Sequence, residues 1–421
     1  VGLEMGRRDR SQIEHLVDSA CVEAIITQSF MSDMLKANQS LPIEKVETML
    51  PLKNAIMLRV VTDKTTHLTE CIKVTYTSGS TGDPKGVCLS AKNIGAVCEA
   101  INISMSSMTT TNHLCVLPLA TLLENIAGVY ACLMHGGIVV TEPLSALGFL
   151  SNAEFDMSKL LEKIELYHVG SIILLPQMLT LLVNNFNETV LKQCSSLQFM
   201  ALGGGKSSAH ILQQAKSLGL PVFEGYGLSE CGSVVSLNLP SQEKIGSVGK
   251  PLPHVSVVIS DDGEIVIENQ AMLGYLSKSG ELEQPLTRIC TGDLGYIDED
   301  GYIFVSGRKN NTIVSSFGRN ISPEWVEVSL SSSPVISQIA VFGEARPSLS
   351  AVVVSSSNNE DEIKKAIDEC NKHLPDYAQI RQWLSAEAPF TPCNNLLTNN
   401  GRLKRLNIEK MYQEKLNALY V

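Results

Sequence analysis

The sequence offers no block of lysine and arginine to set against its acids. Its 33 basic and 44 acidic residues leave a formal charge of -11, which argues against a chain whose task is to neutralise nucleic-acid phosphates. Long apolar runs are missing too: stretches such as 172–176 and 351–354 are far too short to cross a bilayer. The 11 cysteines fall singly from Cys21 to Cys393, with no CxxC pair and no histidine at finger spacing. That usage is expected of reduced thiols in a cytoplasmic protein rather than of a disulfide or zinc framework. Peripheral contact with a membrane that holds the substrate stays open. No Ser-His-Asp or Cys-His grouping stands out as a protein nucleophile.

What is present is core-forming material. With 421 residues, 44% hydrophobic and 18% charged, the chain can bury a large interior, and its length suggests two or three domains. A helical face at Ile13, Leu16, Val17 and Ala20 and β-branched runs at 24–26 and 57–61 open an α/β pattern. Strand-like runs at 114–117, 138–141, 171–175, 197–202 and 222–223 then alternate with helical stretches at 158–167 and 210–218, which predicts a mainly parallel sheet covered on both faces. Near Pro251 the pattern turns to short alternating strands at 255–260, 264–267 and 296–305 with tight turns at 261–263 and 300–301. The tail carries helices at 323–331, 360–373 and 406–416 and strands at 339–342 and 351–354. The expected fold class is α/β: a large N-terminal α/β core with a parallel sheet over 1–250, a small antiparallel β subdomain over 251–308, and a small α+β C-terminal domain over 309–421.

The strongest chemical signal is the segment Val74-Thr75-Tyr76-Thr77-Ser78-Gly79-Ser80-Thr81-Gly82-Asp83-Pro84-Lys85-Gly86-Val87. Gly79 and Gly82 let backbone N–H groups crowd around a polyphosphate, the hydroxyls of Thr77, Ser78, Ser80 and Thr81 add donors, and Lys85 supplies positive charge. No Gly-Lys-Ser/Thr triplet closes this loop, so it is not the P-loop of kinases and ATPases. It resembles instead the phosphate loop of the adenylate-forming superfamily, which includes acyl-CoA synthetases, peptide-synthetase adenylation domains and luciferases. Further stretches resembling that family follow in order, from about Gln12 to the C-terminus.

The resemblance implies roles residue by residue. Gly203, Gly204 and Gly205 would pack on adenine. In Gly225-Tyr226-Gly227-Leu228-Ser229-Glu230 the ring of Tyr226 would cover the base, the hydroxyl of Ser229 would lie near the α-phosphate, and Glu230 would hold Mg²⁺ together with Thr81. Asp293, within Thr291-Gly292-Asp293, would accept from the ribose hydroxyls, and Arg308 would also contact the nucleotide. Asn310 takes the hinge position, and Gly318, Arg319 and Asn320 lie in the loop expected to line the thiol tunnel when the small domain rotates between two half-reactions.

Two departures accompany the match. Members end with a lysine after a glycine that supports adenylation; here the segment reads Gly401-Arg402-Leu403-Lys404. Arginine keeps the charge on a bulkier planar group, so the task falls to Arg402, or to Lys404 in a shifted register, or adenylation is slow; Arg402 is slightly favoured. Only 74 residues run to the end of Val74 before the phosphate loop, fewer than members usually carry, so the chain is expected to be a piece of a longer one.

The implied reaction joins ATP and a small-molecule carboxylic acid into acyl-AMP and pyrophosphate, with Lys85 drawing charge toward the leaving group. The stretches expected around the acid, 116–129, 199–205 and 226–235, are largely apolar, with Glu124 the nearby acid of the first. They offer nothing obvious for an α-amino group. A medium- or long-chain fatty acid passed to CoA is the first expectation, and an aryl acid passed to a carrier-protein phosphopantetheine the second. A weakened adenylate-binding module without turnover, or a kinase or ATPase releasing ADP, are the readings outside this class.

Overall fold

The computed structural model describes the backbone of four short strands, Gly2–Leu3, Ala24–Gln28, Ile43–Thr48 and Ala55–Val60, and then residues 70–78, 84–106, 108, 112–149, 155–269, 272–277, 281–283, 288–330, 333, 335–357, 359–398 and 401–420. The expected helical face at Ile13 to Ala20 lies outside the described residues. The chain divides into two compact units, one made of Val1–Ala96, Ser229–Gly232 and Ala271–Thr287, the other of the remaining segments.

The first unit is built on a hairpin. Cys71–Ser78 and Pro84–Ser90 pair antiparallel, with Gly274–Leu276 added beside the second strand and Gly2–Leu3 parallel to the first. Val74, Tyr76 and Leu276 pack with Cys71 and Cys88 into its core. Gly86 is needed for that closeness: a Cβ there would lie 3.1 Å from both Leu276 Cβ and Val74 Cγ1. Ala24–Gln28, Ala55–Val60 and Ile43–Thr48 form a separate antiparallel sheet.

The second unit holds a seven-stranded sheet. Val222–Tyr226, Phe199–Leu202, Ser171–Leu174, Asn112–Cys115 and Ile138–Thr141 run parallel in that order, and Ser236–Leu237 and Lys250–Pro251 continue the sheet antiparallel. Helices Met157–Leu166, Pro176–Asn184 and Ala209–Ser217 lay their apolar stripes into the core, through Leu160, Ile164, Leu179, Leu182, Ile211 and Ala215 among others. Asp156 starts the first of these by accepting from Ser158 N, which satisfies one of the free N–H groups of the opening turn. The change of pattern near Pro251 appears as an antiparallel sheet of Ser256–Ile259, Glu264–Glu268, Arg288–Ile297 and Ile303–Arg308.

The C-terminal part is a three-stranded sheet with helices on both faces. Leu349–Ser355 is its centre and is buried on both sides: Leu349, Ala351 and Val353 meet helices Pro323–Leu330 and Glu360–Asn371, while Val352 and Val354 meet helix Arg405–Ala418. That is the two-residue period of a strand read off one run of valines. Ile336–Phe342 pairs with it antiparallel and Ile380–Ser385 parallel. The architecture is thus α/β with a large N-terminal part and a small C-terminal one, as the sequence pattern predicts.

Candidate active site

In the first unit the strand pair delivers Lys85. Register places Thr77 opposite Lys85 and Ser78 opposite Pro84, at the two ends of the segment expected to be the phosphate loop; Gly79, Ser80, Thr81, Gly82 and Asp83 themselves lie outside the described residues. Lys85 is exposed, and its ammonium sits 5.3 Å from the centre of the Tyr275 ring. The Tyr275 hydroxyl donates to Glu230 Oε1 at 2.9 Å, and burial pushes that phenol's pKa up. Glu230 occupies a short helical turn, Ser229–Cys231, whose Glu230 carbonyl accepts from Met272 N. Lys85 and Glu230 therefore share one neighbour, Tyr275, which the sequence reading did not single out. A carboxylate with nearby hydroxyls is the donor set of a hard divalent cation, so the residues fit Mg²⁺.

In the second unit three predicted residues meet. Asp293 and Arg308 are paired across adjacent antiparallel strands. Arg308 Nε lies 2.8 Å from Asp293 Oδ1, its Nη1 donates to Thr291 O at 3.0 Å, and the Tyr226 hydroxyl donates to Asp293 Oδ2 at 2.6 Å. Burial raises the pKa of the Asp293 carboxyl, while the Arg308 charge and the Tyr226 hydrogen bond pull it back. Burial and the adjoining carboxylate likewise push Tyr226 up. Glycine at 227 is dictated by space: a Cβ would fall 1.5 Å from Ser233 O. At Gly225 it would fall 2.9 Å from Leu237 Cδ1. The carbonyl of Leu228 accepts from Ser233 N.

Gly203, Gly204 and Gly205 follow the strand Phe199–Leu202 at the C-terminal end of the parallel sheet, where such sheets hold ligands. Gly204 has φ +84°, a conformation a side chain resists. Arg402 Nη2 donates to Gly204 O at 3.5 Å, and the Arg402 charge is one of those lowering the pKa of Asp293. Lys404 goes elsewhere, its ammonium donating to Asn395 Oδ1. Between the two candidates for the C-terminal cation, the structure brings Arg402 to the glycines and the Asp293 cluster.

Glu224 pairs in register with Leu202, just ahead of the glycines, and its Oε1 accepts from Ser207 N at 3.2 Å. Burial pushes its carboxyl up to about 7. Asn310 falls in the short turn Lys309–Asn311. Lys309 is anchored to Asp262 and Glu264, and Asn311 Nδ2 donates to Glu324 Oε1 at 2.6 Å. Gly318, with φ +70°, turns the hairpin between Ile313–Val314 and Asn320–Ile321. Arg319 lies over the Tyr377 ring at 5.7 Å.

An α/β core with a small C-terminal domain and these clusters defines the adenylate-forming class of enzymes. The chain belongs to the AMP-binding enzyme family: residues 7–281 match that family's profile, and residues 310–421 match the profile of the AMP-binding enzyme C-terminal domain. It is 31% identical over 319 residues to 2-succinylbenzoate–CoA ligase of Bacillus pumilus, covering 72% of this chain and 62% of that protein. It is 29% identical over 246 residues to the long-chain-fatty-acid–CoA ligase FadD15 of Mycobacterium tuberculosis, covering 52% of this chain and 41% of that one. The chain thus spans less than two thirds of the length of these relatives. Among solved structures, O-succinylbenzoate CoA synthetase of Bacillus subtilis in complex with AMP superposes with a TM-score of 0.66 at 25% identity, over 82% of this chain and 70% of that one. Among the described residues no helix is long and apolar enough to cross a membrane.

Proposed function

We propose that this chain activates a carboxylic acid with ATP, forming acyl-AMP and pyrophosphate, and passes the acyl group to CoA. The observation that carries the reading is the Tyr226–Asp293–Arg308 cluster with Arg402 beside Gly204. Asp293, held from two sides, presents a fixed carboxylate to the ribose hydroxyls. Tyr226 offers its ring to adenine, with Gly203 to Gly205 forming the opposite surface. Arg402 draws charge from the phosphates as the carboxylate oxygen attacks the innermost phosphorus, a task the family resemblance also gives to Lys85. Bound at Glu230 and Thr81, Mg²⁺ supplies charge neutralisation on the phosphates. The acid's own carboxylate is the nucleophile, so no nucleophilic side chain is required. Residues 309–421 act as the mobile domain, turning about Asn310 so that Gly318, Arg319 and Asn320 line the path of the thiol in the second half-reaction.

The acid has an apolar body. Val116, Leu117, Leu122, Ile126 and Met200 are buried apolar side chains in the stretches assigned to it, and Glu124 is engaged internally, which argues against an α-amino acid. Relatives named for an aryl acid and for long-chain fatty acids support two substrates of this kind. The aryl acid has the greater share of matched length behind it, the fatty acid the apolar lining. ATP–pyrophosphate exchange across fatty, aryl and amino acids tests the reading: exchange with fatty or aryl acids supports it. Release of ADP, or ATP binding with no acid-dependent exchange, refutes it.

A further inference from the structure

Glu124 is fully buried and opens a π-helical segment, Glu124–Tyr130. Such segments are rare and gather at functional sites. Both carboxylate oxygens are engaged. Oε2 accepts from Val116 N at 3.1 Å and from Leu117 N at 2.8 Å, while Oε1 lies 2.8 Å from His113 Nε2. His113 Nδ1 lies in turn 2.9 Å from Ser171 Oγ, its register neighbour on the adjacent parallel strand. Gly128 makes the room: a Cβ there would fall 2.2 Å from Glu124 Oε1 and 2.5 Å from His113 Nε2.

The carboxylate therefore reaches back along the chain and closes the loop 116–123 onto the C-terminal end of the parallel sheet. Leu123, at the far end of that loop, has its Cδ2 3.1 Å from where a Cβ on Gly203 would sit, so the closed loop abuts the glycine stretch. A buried carboxylate is expensive for a core and is tolerated when fully hydrogen-bonded. His113, Cys115 and Glu124 have their ligand atoms within 4.8 Å of one another. The donors already on both Glu124 oxygens make the group a clamp and not a metal centre.

The geometry points to Glu124 as a positioning residue for the acid: through His113 and the amides of Val116 and Leu117 it holds the loop 116–123 as a fixed wall for the acid's apolar body. It sets acid affinity without touching the nucleotide. This rests on the acid-activation reading above. The test is ATP–pyrophosphate exchange by the full chain, with KM for acid and for ATP measured separately and thermal unfolding recorded for each variant. Gly128→Ala, which drives a methyl into the clamp, and Glu124→Ala should raise the KM for acid about tenfold, the worth of a lost buried hydrogen bond. The KM for ATP should stay within about twofold. Ser171→Ala removes only the hydroxyl behind His113 and should raise the acid KM about two- to threefold in a folded protein. Glu124→Gln keeps an acceptor for the two amides and should stay near the unsubstituted chain. A folded Ser171→Ala with unchanged acid KM overturns the proposal, even if the harsher variants unfold; so does a parallel rise in both KM values. No exchange with any acid by the unsubstituted chain overturns the acid-activation reading and the clamp's role together.

Discussion

Arg405 and Glu327 form a two-pronged buried ion pair, Nη1 donating to Oε1 at 2.7 Å and Nη2 to Oε2 at 2.9 Å. The same Nη1 donates to Val341 O, and Glu327 Oε1 accepts from Val341 N. The first residue of helix Arg405–Ala418 is thereby locked to helix Pro323–Leu330 and to the strand Ile336–Phe342. Only a guanidinium offers that planar fork. Removing one partner strands a buried charge, so Arg405→Met should destabilise the protein by about 3–5 kcal/mol in urea unfolding. Adding Glu327→Leu should restore most of that. A single variant with an unchanged midpoint would mean that the fork holds nothing.

The lock also fixes the register of the turn just ahead of it. Thr398 N donates to Arg402 O and Lys404 N to Leu396 O, which leaves Arg402 facing Gly204 while Lys404 binds Asn395. Arg402→Ala should therefore lower acid-dependent pyrophosphate exchange by about 10²-fold, a loss typical of a donor aimed at developing charge. Thioester formation from preformed acyl-AMP should fall far less. Lys404→Ala should leave both rates near their starting values. Equal losses in the two half-reactions of Arg402→Ala would count against an adenylation role, and a large loss in Lys404→Ala would hand the task to that lysine.

Asp293 is held by Tyr226 and Arg308, and the ribose role proposed for it makes a prediction about the sugar and not the phosphates. Asp293→Ala should raise the KM for ATP by about 10–100-fold, as for lost hydrogen bonds to a charged group. It should also shrink the preference for ATP over 2′-deoxy-ATP, because the carboxylate that reads the hydroxyl is gone. Tyr226→Phe removes one anchor of the carboxylate and should show a smaller loss in the same direction. If Asp293→Ala keeps the full preference for ATP, the carboxylate does not read the ribose.

The strands and helices of the second unit were legible because their signals were local. The runs at 138–141 and 171–175 became Ile138–Thr141 and Ser171–Leu174, and the helical stretch at 158–167 became Met157–Leu166. Ile380–Ser385 went unread because it is an edge strand with Arg381 and Gln382 exposed, and such a strand lacks the apolar alternation that marks a buried one. Asp293, Arg308 and Tyr226 could be named from their motifs, but not the hydrogen bonds among them, which depend on a strand register. Tyr275 could not be named, since what makes it relevant is a strand pairing with Gly86 to Cys88 and a hydroxyl that reaches Glu230, 45 positions away. Glu124 was visible as an acid in apolar surroundings. That both its oxygens face backbone amides and a histidine is a fact of packing, and it reverses what an acid at that place suggests.

Glu224 ties the stability of the second unit to pH. Burial raises its carboxyl from an ordinary 4.5 to about 7, so the folded state holds this proton more tightly than the unfolded chain. The group's contribution to stability is fully present below the unfolded value near 4.5 and is lost as pH rises through the folded value near 7. Replacing it with glutamine keeps an oxygen for Ser207 N and removes the ionisation. Glu224→Gln should therefore gain about 2–3 kcal/mol over the parent at pH 8, while the two should converge near pH 4.5. Urea midpoints measured from pH 4.5 to 8.5 would check this. Parallel profiles at every pH would show that Glu224 is not the buried acid that geometry makes it, and a loss of stability at pH 8 would show that its charge is used in the fold.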